Sequence, residues 1–139
     1  MANALYPKWK NSLLQFTTNN NISTGTVKVA LVDTGVYTYN SASQFYDDGT
    51  TSDVQSATVG TPQTLTSKTF SDGTFDAADI TFTAVSGASV EALVIYIDTG
   101  TGTTSPLVGY IDTGVTGLPV TPNGGDITVT WNGAGIFTL

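Results

Sequence analysis

Ala92-Leu93-Val94-Ile95-Tyr96-Ile97-Asp98-Thr99-Gly100 is the stretch whose reading decides the fold. Apolar residues fill 92–97, and Val, Ile and Tyr dominate before an abrupt Asp-Thr-Gly. The run is far below the roughly 18 residues a membrane helix requires. Its β-branched and aromatic content, closed by a turn signal, predicts the most hydrophobic strand of the chain, over residues 89–98. The same phrase occurs twice more, as Val29-Ala30-Leu31-Val32-Asp33-Thr34-Gly35 and as Leu107-Val108-Gly109-Tyr110-Ile111-Asp112-Thr113-Gly114.

Working outward, residues 26–33 become apolar on both faces and predict a central strand, and residues 105–112 predict another strand after a Thr/Gly turn. Residues 79–85 place Ile80, Phe82 and Ala84 on one face and Thr on the other, the alternation of a half-buried strand. Residues 64–70 alternate in part, with Leu65 and Phe70 as expected core anchors. Residues 126–131 and 136–139 complete the series. Gly- and Asn-containing turns separate these runs, as antiparallel structure requires. The expectation is an all-β fold: an antiparallel sandwich or small barrel of about seven or eight strands. Asp79-Ile80-Thr81-Phe82-Thr83 echoes Asp126-Ile127-Thr128-Val129-Thr130 without a fixed period, which fits strand-and-turn grammar rather than a solenoid.

One segment, residues 4–16, predicts a helix. Leu5, Trp9, Leu13 and Phe16 recur at three- or four-residue spacing, Asn3 can cap the start, and Pro7 falls in the tolerated first turn. A helix this short is marginal alone, so its stripe must dock on the sheet or on a neighbouring subunit. The chain divides into an N-terminal helix and turn over 1–20 and a β body over 26–139, within one domain. Residues 36–59 form a long aromatic-bearing connection, with a short strand expected at 36–39 and a helical turn ending at Gly49.

Composition limits the chemistry. There is no Cys and no His, and the cations are Lys8, Lys10, Lys28 and Lys68. Disulfides, thiolate or imidazole metal sites, and Ser-His or Cys-His nucleophiles are therefore excluded. A net charge of -7 argues against nucleic acid and against anionic membranes. Residues 1–4 lack the basic region of a secretory leader, so none is expected.

The Asp-Thr-Gly copies admit two readings. After apolar residues, the tripeptide marks aspartic proteases, in which two carboxylates share a proton. It also spells a strand followed by a turn, with Gly supplying positive φ. Three copies exceed what a shared dyad needs, the following residues are Val36, Thr101 and Val115 rather than Ala or Ser, and no Arg-bearing partner motif exists. Turn chemistry is the better reading. Asp47-Asp48-Gly49 with Asp53, and Asp72-Gly73 with Asp76 and Asp79, either ligate Ca²⁺ or form Asp/Gly turns. No cofactor is expected.

Several segments together resemble a known family. Phe75-Asp76-Ala77-Ala78-Asp79-Ile80-Thr81-Phe82-Thr83-Ala84-Val85, Glu91-Ala92-Leu93-Val94-Ile95-Tyr96, residues 116–131 and Ile136-Phe137 resemble small virion proteins of tailed bacteriophages, and residues 28–33 and 37–39 fit the same pattern. The likeness covers nearly the whole chain, most densely from residue 75 onward. It implies a non-enzymatic particle component located in the virion, a capsid decoration or cement protein. Its partners would be the major capsid protein and copies of itself, most simply as a trimer at threefold sites. The alternatives are a tail, neck or head-fibre component that binds a receptor or glycan and, remotely, an aspartic protease. Leu5, Tyr6, Trp9, Leu13, Tyr37, Tyr39, Phe45 and Tyr46 are the candidate protein–protein contacts, because aromatics supply large area at low entropy cost.

Overall fold

The structure is a computed structural model and describes residues 3–139. It is built mainly from antiparallel β-strands. Ten strands occur among the described residues: β1 Ala4–Leu5, β2 Thr26–Val32, β3 Thr58–Thr64, β4 Thr69–Ser71, β5 Thr74–Asp76, β6 Ile80–Phe82, β7 Ala92–Asp98, β8 Leu107–Ile111, β9 Ile127–Val129 and β10 Phe137–Thr138. Helix α1 spans Pro7–Gln15 and the short α2 spans Val54–Ala57. The strand number exceeds the seven or eight expected because the 64–70 region divides between β3 and β4, and because β1 and β5 form where no strand is expected.

A five-stranded sheet, in the order β1-β8-β7-β2-β3, forms the centre. The deciding stretch is β7, and it sits third, flanked by the strands that carry the other two Asp-Thr-Gly phrases. All of β7 up to Asp98 is buried, as is all of β8. Directly paired residues share a face. Val27, Val29 and Leu31 therefore lie with Ile97, Ile95 and Leu93 on one side, and Ala30 and Val32 lie with Val94 and Ala92 on the other. Both sides need a cover. Residues 36–57 cover the second: Tyr46 stacks on Tyr96 with ring centroids 4.3 Å apart, and Tyr39 packs against Tyr110. The smaller sheets, β10-β5-β4 and β6-β9, contribute Phe75, Ile80, Phe82, Ile127 and Val129 to the same continuous core.

The two echoing pentapeptides pair with each other. Ile80, Thr81 and Phe82 face Val129, Thr128 and Ile127, and the two threonine hydroxyls meet at 3.1 Å. The leading aspartate of each segment closes the far end of its partner. Asp79 accepts from the Trp131 amide, and Asp126 accepts from the Ala84 amide. The repeat is therefore a local twofold within one ribbon.

The N-terminal region differs from its expectation. Ala4 and Leu5 extend as β1 against β8, and Tyr6 continues that pairing by donating its amide to the Val108 carbonyl. The helix starts only at Pro7, whose missing N–H and fixed φ suit the first helical position. Tyr6 takes the cap position, and Asn3 is used elsewhere. Trp9 is buried, meets Phe137 edge to face at 5.8 Å, and donates its indole N–H to the Asn20 carbonyl. Residues 36–39 form no strand, because their chain turns to bury Tyr37. Residues 43–49 contain no helix either; Phe45 instead bridges to Pro106. Replacing Trp9 with Ala removes the ring that seats α1, and should cost about 3–5 kcal/mol in chemical denaturation.

Candidate functional site

Most of the acidic side chains are engaged by the backbone around them. In the first Asp-Thr-Gly turn, the Asp33 carboxylate accepts from the Gly35 amide at 2.7 Å. In the second, Asp98 accepts from Gly100 at 2.9 Å and holds Lys28 at 2.7 Å. At the third, Asn3 performs the capping: its side-chain oxygen accepts from the Asp112 and Thr113 amides at 2.8 and 3.0 Å. The register places Asp33 and Asp112 at one end of the sheet and Asp98 at the other. Asp33 and Asp112 end strands that β7 separates, so their backbones stand about two strand spacings, or roughly 10 Å, apart. Two carboxylates sharing a proton must be in hydrogen-bond contact. No pair of these three has that arrangement within the chain.

Glu91, at the start of β7, joins this end of the sheet. It accepts from the Thr34 amide at 3.0 Å, the Thr34 hydroxyl at 3.1 Å and the Ser89 hydroxyl at 2.6 Å. Desolvation pushes its carboxyl upward, but the bonds from Ser89 and Thr34 outweigh it and hold it below the ordinary value. Asp53 behaves alike. Burial raises it, and the Ser56 and Thr50 amides more than offset that rise. Lys28, followed by the Gly100 amide, holds Asp98 down.

The proposed cation loops are turns of the same kind. Asp47 accepts from Gly49, and Asp48 accepts from Gln44 and Phe45. Asp72 and Gly73 both have positive φ and close the β4–β5 hairpin, the geometry of a two-residue turn. Among the described residues no group of three or more carboxylates is arranged to hold a metal ion.

The eight candidate contact residues separate by burial. Tyr6, Trp9 and Tyr37 are buried in the core and present no contact surface. Tyr6 and Tyr37 share a hydroxyl–hydroxyl bond of 2.8 Å, and Tyr39 packs on Tyr6 at 5.3 Å. Leu5, Leu13, Tyr39 and Tyr46 are partly buried against the core, and Phe45 is half-buried. These residues hold the long connection and the helix onto the central sheet; packing against the chain's own core takes their apolar area.

The exposed apolar side chains lie elsewhere. Leu14 and Phe16, at the end of α1, are 81% and 93% exposed. Phe16 belongs to the stripe expected to dock, yet the helix ends on it in the left-handed conformation, φ 51° and ψ 42°. That conformation swings the ring off the core face. It favours glycine and costs a bulky residue roughly 1–2 kcal/mol. Phe70, expected in the core, is 48% exposed beside the hairpin turn. All three residues of β4 are exposed, because the short two-residue-turn hairpin holds the strand outside the core, which the partial alternation of 64–70 does not indicate. Lys8 and Lys10 are exposed on α1 and have no ion pair among the described residues. Lys68 is committed, donating to the Ile22, Ser23 and Gly25 carbonyls at 2.9, 3.1 and 2.7 Å.

No family model matches this chain, and no curated protein matches it.

The depressed carboxyls and the tyrosines set the pH range of stability. Asp53, Glu91 and Asp98 contribute stability above the ordinary carboxylate range that is lost as pH falls through their lowered values. Burial raises the tyrosines Tyr6, Tyr46, Tyr96 and Tyr110, so their contribution is lost as pH rises above about 10. Denaturation midpoints should therefore plateau between about pH 5 and 10 and fall on either side. Glu91→Gln should lower stability at neutral pH by about 1–2 kcal/mol and flatten the acid limb.

Proposed function

We propose that this chain is a structural component of a bacteriophage particle, a decoration or cement protein that binds the major capsid protein and reinforces the head lattice. The observation that carries the proposal is where the chemistry-bearing groups are spent. Carboxylates close turns, tyrosines fill the cover over the central sheet, and two of the four lysines are tied internally. A particle protein needs this kind of rigid, self-satisfied scaffold, with a contact surface in place of a reactive pocket. Its resemblance to small phage virion proteins points the same way. Symmetric self-association on the capsid, with a trimer the simplest form at threefold sites, follows from the lattice it would bind.

Copy number on purified particles tests the reading. A decoration protein is expected on the order of hundreds of copies on heads, as lattice symmetry dictates. Detection only in tails or necks overturns the decoration role. A second reading, a fibre or tail module that binds glycans, is favoured by an open polar hollow of about 630 Å³ beside the long connection, bordered by Thr38, Asn40, Ser43, Asp48 and Thr50. Binding to a glycan array that is lost in Asn40→Ala would support that second role; absence of glycan binding removes it.

A further inference from the structure

We propose that the end of α1 is a docking knob for a second copy of this chain, and that its socket is the apolar hollow beside the β4–β5 hairpin. Phe16 combines two costs: a large ring in water, and a left-handed backbone that glycine would adopt freely. The left-handed turn lets the Phe16 and Thr17 amides bond the Leu13 and Ser12 carbonyls, but glycine would make the same bonds without the strain, and nothing inside the chain covers the ring. Leu14 beside it is also exposed, and Lys8 and Lys10, without ion-pair partners among the described residues, lie on the same helix. The knob is therefore apolar with a cationic flank, on a molecule whose net charge is -7.

A partner must offer an apolar seat with acidic surroundings. This chain has one. A hollow of about 250 Å³ is walled by Ile22, Phe70, Phe75, Phe137 and Leu139, with Asp72 at its border. The hollow is open to solvent, and its exposed Phe70 and Leu139 offer apolar area to an incoming ring. Phe70 is half exposed and already stacked on Phe75, which leaves one ring face open to an incoming ring. Among the described residues, Asp72 receives only the Ser71 hydroxyl, at 3.5 Å, and is exposed to meet a lysine. Both halves of the contact, with opposite charge, are thus carried by one sequence. That favours a second copy over an unrelated partner. Phe16 does not occupy the hollow of its own chain, since it is 93% exposed.

The contact refines the self-association in the proposed function, but its test uses the purified chain alone. Sedimentation velocity over concentrations reaching about 100 μM should show reversible association. Phe16→Gly relieves the left-handed strain, so it should raise the melting temperature by about 3–5 °C while weakening association at least about tenfold. Phe70→Thr keeps a strand-favouring residue, and Asp72→Asn keeps the turn; each should also weaken association. A monomeric parent protein overturns the proposal. So does unchanged association in Phe16→Gly and Phe70→Thr. If the parent is monomeric yet binds phage heads, and Phe16→Gly abolishes that binding, the knob serves a different protein. Self-docking then fails while the virion reading stands.

Discussion

Two-sided burial of β7 is the constraint on which the rest depends. With β2 and β8 beside it, this strand leaves no face for water, so each side of the central sheet must be covered by something else in the chain. The smaller sheets supply core on one side. The other side is covered by residues 36–57, which are largely irregular. An irregular cover has many amides without ladder partners, and each must be satisfied. Asp47, Asp48 and Asp53 do this in the cover, the Tyr46 amide reaches the Ser105 carbonyl, and the Leu107 amide reaches Gln44. The acidity of the chain and its irregular cover are therefore linked: short carboxylates are the acceptors that such a backbone needs.

The same economy explains how few charges form ion pairs. Lys28 meets Asp98 across neighbouring strands, while Lys68 donates to three carbonyls of the segment leading from α1 into β2. A single ammonium there organises a turn that has no ladder of its own. The apolar end of α1 stands out because the surrounding polar groups are so consistently matched.

Much of the architecture was legible in the sequence, because long apolar runs ending in Asp-Thr-Gly have one economical fate. β2, β7 and β8 fall where the runs predict them, and the three tripeptides do mark strand ends. The turn role of Asp33 and Asp98 was legible too, since Asp two residues before Gly carries its own acceptor. What failed was local and tertiary at once. Residues 4–16 have helical spacing throughout, but strand pairing with β8 takes Ala4 and Leu5, and the left-handed end takes Phe16 off the stripe. Tyr6, Trp9 and Tyr37 look like contact residues in sequence, because periodicity does not distinguish an aromatic that faces a partner from one that covers its own sheet. The echo between residues 79–83 and 126–130 was visible, but not that the two segments would pair with each other. Of the exposed apolar surface, only Phe16 could have been suspected, from its place next to the polar run 17–21.

Asn3 is bonded to Thr113 and Asp112, β1 lies on β8, and Trp9 rests on Phe137. Residues 3–9 thus complete their contacts against residues 109–137. During synthesis β1 has no partner until more than a hundred residues have followed it, and the helix has no seat until residue 137 emerges. Folding of this molecule is consequently closed by pairing segments more than a hundred residues apart, with the slow kinetics that distant pairings impose.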